Sequence, residues 1–235
     1  MIEADSYEDV NHFMNQEIYN FIKSENVQFD AYNSNLFFDY ITNKNDVEVF
    51  SQQFRETSKG SISGMLVRDD LGTTITYNSL HPKVRQNFTK GHELTHFLKH
   101  IDNLPAEFSL KESDFSYDES SNLMEYEANI GASHILLPDI ILLEMIQKPI
   151  SFQTVSSKYG MSESALFFRL RDFLVYRCKL NPVRAINLVN QYRYTGEKEW
   201  IYRSTYHFGS PYKKIIINEF EESKKLTSSA KADLN

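Results

Sequence analysis

Arg85-Gln-Asn-Phe-Thr-Lys-Gly-His-Glu-Leu-Thr-His-Phe-Leu98 is the stretch on which the reading of this 235-residue chain turns. Inside it, His92-Glu93-Leu94-Thr95-His96 has the H-E-x-x-H pattern. Residues four apart on an α-helix lie on one face, so the two imidazoles can share one Zn²⁺. Glu93 follows the first His directly, where its carboxylate can reach a water at the metal and act as general base. Chance produces this combination only on the order of once in a hundred sequences of such length. The pattern points to a metallohydrolase.

The surroundings support a helix. Pro82 suits a first turn, with Ser79 or His81 as possible caps. Val84, Phe88, Gly91, Thr95 and Leu98 recur at three- and four-residue steps and predict one buried stripe, with His92 and His96 at its edge. His100 continues the i+4 row and reads as a residue behind the metal site or as plain surface.

Upstream, 62–67 and 73–77 are β-favouring runs separated by Arg-Asp-Asp-Leu-Gly, which predicts a hairpin. An edge on that hairpin would let an extended substrate chain pair with it. Residues 6–23 predict a first helix lined by Val10, Phe13, Met14, Ile18, Phe21 and Ile22. Residues 36–41 fit a helix or a strand, and 47–50 a strand. Downstream, 101–117 is acidic and polar and reads as a loop over the site. The next helix, 120–137, carries Glu125 and Glu127 and ends at Pro138. A carboxylate from it would complete a His₂Glu site with a fourth position left for water. Spacing does not choose between the two glutamates.

Composition narrows the class. With 41% hydrophobic and 14% aromatic residues the chain is globular. A net charge of −7 argues against a protein that coats nucleic acid or anionic membrane. Cys178 is the one cysteine, so no internal disulfide forms and a thiolate metal site is disfavoured. The acidic N-terminus does not read as a signal peptide, and no apolar run approaches a membrane span; the expected location is cytoplasmic.

Two motifs in order, Arg85 to Leu98 and then Met124-Glu-Tyr-Glu-Ala-Asn-Ile-Gly-Ala-Ser-His-Ile-Leu-Leu-Pro138, resemble the ImmA/IrrE family of zinc metallopeptidases. That family's pattern is R-x-x-F-T-x-A-H-E-x-G-H followed by E-x-x-A-N-x-F-A-x-x-L-L-M-P. The resemblance spans roughly 45–175. It implies His92, His96 and Glu125 as metal ligands, Glu93 as base and Zn²⁺ as cofactor; Glu125 is favoured because it stands three before Ala128. The sequence departs from the pattern at Gly91 for Ala, Thr95 for Gly, and Ile130-Gly131 for Phe-Ala, all positions of helix packing.

Beyond this, 151–159 and 162–176 predict two short helices joined at Gly160, with Ser162 capping the second. The pair is similar to a helix-turn-helix, a unit the family commonly carries. DNA contact through Ser164, Arg169 or Arg171 is one reading; a structural helix pair or a protein-docking surface is favoured over it. Asn181-Pro182 opens a further helix, 213–217 fits a strand, and the polar end reads as a tail. The expected fold is α+β: a mostly helical, zincin-like metallopeptidase core with a small β-sheet over 1–145, a helix-turn-helix-like region over 146–220, and a flexible tail over 221–235.

The resemblance implies a zinc-dependent endopeptidase whose protein substrate is a helix-turn-helix repressor of a mobile element or stress response. Tyr126, His100 and His134 are candidates for stabilising the oxyanion. Alternatives of other classes are a DNA-binding regulator with a structural or sensory zinc, and a partner that sequesters a repressor without cutting it.

Overall fold

The computed structural model describes residues 2–55, 62–113, 119–206 and 212–232. In chain order the elements are α1 (Ile2–Ser24), α2 (Ser34–Lys44), β1 (Val47–Gln52), β2 (Ile62–Asp69), β3 (Gly72–Asn78), α3 (Lys83–Thr95), β4 (Phe108–Ser113) and α4 (Glu119–Leu136). Then follow α5 (Asp139–Gln147), α6 (Phe152–Lys158), α7 (Glu163–Asp172), α8 (Pro182–Thr195), α9 (Glu199–Tyr206) and α10 (Tyr212–Ala232). These elements form the α+β, mostly helical arrangement expected. They divide into two compact units, Asn33–Leu136 and the segments Met1–Tyr32 with Leu137–Asn235.

In the unit Asn33–Leu136 the sheet order is β1-β3-β2-β4. The β2–β3 hairpin is antiparallel as predicted. Its turn is held by Asp69 Oδ1, which accepts from the Leu71 amide at 2.9 Å, and by Gly72, whose φ of 137° suits glycine. Both hairpin strands are interior, because β1 pairs parallel with β3 and β4 pairs antiparallel with β2. The edges are therefore β1 and β4, not the hairpin itself. β4 arises inside the stretch read as a loop: a short, polar run becomes a strand through non-local backbone pairing that its own residues do not announce. The ambiguous segment at 36–41 is helical, with Asn33 Oδ1 capping the Asn35 and Leu36 amides and Phe37, Phe38 and Ile41 buried.

Helix α3 differs from its expected start and face. Pro82 itself takes the N-cap position. Neither Ser79 nor His81 caps by side chain; instead their carbonyls accept from Gln86 Nε2 at 3.1 and 2.6 Å. Val84 is exposed, and the buried face is Gln86, Thr89, Gly91, His92, Glu93, Leu94 and Thr95. The helix packs on β2 and β3 on one side and on α4 on another, so its polar site residues face inward. This is why apolar periodicity misplaces the stripe.

The departures from the family pattern compensate one another where α3 meets α4. A methyl on Gly131 would lie 2.3 Å from Thr95 Oγ1 and Cγ2. The side chain gained at Thr95 thus fills the volume given up at Gly131. Gly131→Ala is expected to destabilise by about 1–3 kcal/mol through overpacking. Thr95→Gly added to it should recover part of that loss, a non-additivity readable in a double-mutant cycle of urea midpoints. Additive losses would contradict the packing account.

The other unit is all helical among the described residues. α1 begins earlier than expected, at Ile2, and buries Val10, Met14, Ile18, Phe21 and Ile22. Ser151 and Ser162 cap α6 and α7 by accepting from the Thr154 and Ala165 amides at 3.1 and 3.0 Å. Between them Gly160 has φ 59°. Residues 213–217 are helical rather than a strand. Their β-branched run is misleading, since burial at Ile216 and Ser223 follows helical spacing along α10, and Phe220 sets its ring against Tyr19 and Phe29.

A buried ionic cluster fastens this unit. Asp139 and Arg169 are fully buried and ion-paired, and Arg169 Nε also donates to the Leu137 carbonyl at 2.9 Å. Arg177 Nε donates to the other Asp139 oxygen at 2.9 Å and its Nη2 to Glu219. Asn15 Oδ1 accepts from the Asp139 amide at 3.1 Å. Arg169, read from sequence as a DNA-contact candidate, is thus spent inside the fold, and Arg171 pairs with its neighbour Asp172. No single helix among the described residues is long and apolar enough to cross a membrane.

Candidate metal centre

Three side chains from α3, the turn that follows it, and α4 converge. His92 Nε2 stands 3.1 Å from His96 Nε2 and 3.1 Å from Glu125 Oε2, and His96 Nε2 stands 3.4 Å from Glu125 Oε1. Ligands about 2.0–2.1 Å from a tetrahedral Zn²⁺ lie roughly 3.3 Å from each other, so the separations match those of a three-ligand site. The two histidines are buried, while the Glu125 side chain keeps 28% of its exposure, which leaves access from one side. The spacing argument brought His92 and His96 together; of the two glutamates left open by spacing, Glu125 meets both rings.

The electrostatics suit a cation. Burial, opposed by the neighbouring Glu125 carboxylate, lowers the His96 pKa to about 4, so its ring is neutral at pH 7. Burial raises the Glu125 pKa, but the two imidazoles against it, His92 and His96, outweigh burial and hold the carboxyl well below its usual range. A neutral imidazole beside an ionised carboxylate is the protonation state that metal ligation requires.

That lowered value makes a stability prediction for the metal-free protein. The unfolded chain takes up a proton at His96 near its ordinary 6.5, the folded chain only near 4. Stability is therefore full above pH 6.5 and is lost as pH falls towards 4, by roughly 3 kcal/mol. His100, also lowered by burial, adds to the same slope. Urea midpoints from pH 7 to 4.5 should fall more steeply for the chelator-treated wild type than for His96→Asn. Equal slopes would refute the assignment.

Hydrogen bonds orient the rings. His92 Nδ1 is 3.1 Å from Asn129 Oδ1, which accepts its proton and leaves the Nε2 lone pair towards the convergence. Asn129 sits one turn after Glu125 on α4. The A-N pair of the second motif was its only trace in the sequence. Arg85, first residue of the opening motif, donates from Nη2 to Ser63 Oγ at 2.7 Å, tying α3 to β2.

Glu93 is buried, and its carboxylate lies against β2 where a glycine makes room: a methyl on Gly64 would come 2.6 Å from Glu93 Oε1 and 2.4 Å from Thr89 Cγ2. The close approach of strand backbone to helix fixes where that carboxylate can sit. Of the oxyanion candidates, His134 is fully buried with Nδ1 2.8 Å from the Ile130 carbonyl. His100 has its ring nitrogens on His96 and Glu127, and Tyr126 is half-buried on α4.

A family profile, Peptidase M78, described as the IrrE N-terminal-like domain, matches residues 46–171, more than half of the chain. No curated protein matches the chain. The matched span contains all of His92, Glu93, His96 and Glu125.

Proposed function

Since this chain belongs to the Peptidase M78 (IrrE N-terminal-like) family, zinc metallopeptidases that act on protein substrates, we propose that it is a zinc-dependent endopeptidase that inactivates a cytoplasmic helix-turn-helix repressor. In this reading His92, His96 and Glu125 hold the zinc and Glu93 is the base. The observation that carries it is the 3.1–3.4 Å convergence of two imidazole nitrogens and one carboxylate.

Zinc, when bound, supplies Lewis acidity that polarises the scissile carbonyl and acidifies the attacking water. The residues of the chain do the rest. Asn129 holds the His92 ring in orientation through Nδ1. Glu93 accepts the proton of the attacking water on its carboxylate as the C–O bond forms to give the tetrahedral adduct, and delivers it to the amide nitrogen as that adduct collapses and the C–N bond breaks. Gly64 keeps the strand backbone close enough for that carboxylate to be held in one place. The edge strand β4 offers main-chain groups with which an extended segment of substrate can pair.

The assignment of the substrate follows from the family resemblance of the two motifs. It is tested by incubating the zinc-loaded protein with a helix-turn-helix repressor, the one encoded beside it if there is one. Discrete fragments are expected with zinc and none after chelation. A repressor that stays intact yet loses operator binding in the mixture would replace proteolysis by sequestration.

A further inference from the structure

Behind His96, on the side away from the convergence, a second line of polar atoms leaves the site. His96 Nδ1 lies 2.9 Å from His100 Nδ1, and His100 Nε2 lies 2.9 Å from Glu127 Oε2. Lys99 Nζ stands 3.9 Å from the same oxygen. The turn carrying both histidines, His96–His100, is π-helical, a local widening often found at functional sites. His96 and His100 are buried.

Two carboxylates compete to set the placement of hydrogens, Glu127 at 2.9 Å from His100 Nε2 and Glu125 at 3.4 Å from His96 Nε2. Two Nδ1 atoms at hydrogen-bond distance share a single proton, which belongs to one ring or the other. If His100 donated it, His100 Nε2 would turn a lone pair on the Glu127 carboxylate, and His96 Nε2 would carry its proton into the convergence. If His96 donates it, His100 Nε2–H meets the Glu127 carboxylate at 2.9 Å and His96 Nε2 presents a lone pair, giving up the longer 3.4 Å contact to Glu125 Oε1. Both carboxylates can only accept; Glu127 holds the shorter contact and so sets the direction of the line, and a cation at the convergence ends the competition by taking the His96 Nε2 lone pair.

We propose that Glu127, acting through His100, fixes His96 in the tautomer whose Nε2 lone pair faces the metal; Glu127 and His100 are positioning residues of the site. This rests on reading His96 as a zinc ligand. Carboxylate partners of metal-bound histidines contribute about 10–100-fold to affinity where they have been removed. Glu127 does so here at one remove.

The test uses the full chain with zinc alone as ligand. Glu127→Gln keeps size and shape, but its amide can donate or accept and so no longer sets a direction. Zinc affinity, read by competition with a chromophoric chelator, should fall about tenfold or more, with the thermal midpoint of the metal-free protein unchanged. His100→Ala should weaken zinc as much, and adding Glu127→Gln to it should cost nothing further. In the metal-free wild type, imidazole ¹⁵N shifts should show His96 protonated at Nδ1 and His100 at Nε2, and Glu127→Gln should mix the tautomers. An affinity within twofold of wild type in Glu127→Gln, or His96 protonated at Nε2 in the wild type, overturns the proposal. A wild type that takes up no zinc would instead remove the functional reading, while the nitrogen shifts still decide the relay.

Discussion

Glu93→Gln is expected to cut peptide-bond cleavage by about 10²–10⁴-fold, the range for loss of a positioned general base, while zinc binding stays intact. The reason is a division of labour on one helical turn. His92, His96 and Glu125 converge on a point, whereas Glu93 lies against Gly64 of β2 and belongs to no part of that triangle. The amide of glutamine occupies the same space beside the strand, so packing and metal affinity survive, but it cannot accept the water's proton. Zinc content by mass spectrometry and cleavage rate, measured on the same sample, separate the two. A variant with full zinc and a rate within a few-fold of wild type would remove Glu93 from the chemistry.

The largest effect on stability is expected at Asp139. Its two carboxylate oxygens satisfy Arg169 and Arg177 inside the unit formed by Met1–Tyr32 and Leu137–Asn235. Asp139→Ala strands the fully buried Arg169 guanidinium, and breaking a buried pair in this way costs about 3–5 kcal/mol. In a chain of this length the melting temperature should drop on the order of 10 °C. Arg169→Met should cost clearly less, because Asp139 keeps Arg177 and an apolar chain fills the space. Differential scanning fluorimetry of the two variants decides it: equal losses would show that packing volume, rather than the unpaired charge, sets the cost.

The sequence was most legible where chemistry and local geometry coincide. His92 and His96 sit four apart on a helix and needed no tertiary information to be paired. The hairpin β2–β3 was visible because turn residues and β-branched runs are adjacent in the chain. By spacing Glu125 was one of two glutamates, and only the resemblance of the second motif favoured it. Its distinction from Glu127 is tertiary, since one carboxylate reaches His92 and His96 and the other reaches His100. β4 and the inward face of α3 were hidden for related reasons. The strand is made by pairing with β2, and the helix buries Gln86, Thr89 and Glu93 where periodicity looks for apolar residues. Arg169, a DNA-contact candidate only on the less favoured reading, shows the converse: an aspartate thirty positions earlier draws this basic residue into the core. Of the deviations from the family pattern, Thr95 and Gly131 make sense only together, once α3 and α4 are seen in contact.

X-ray absorption at the zinc edge of the zinc-loaded protein probes the central claim most directly. Two imidazoles and one carboxylate from His92, His96 and Glu125 predict a four-coordinate shell of light atoms at about 2.0–2.1 Å, with the multiple-scattering signature of two histidines. A six-coordinate oxygen shell, or a shell containing one imidazole or none, would contradict it.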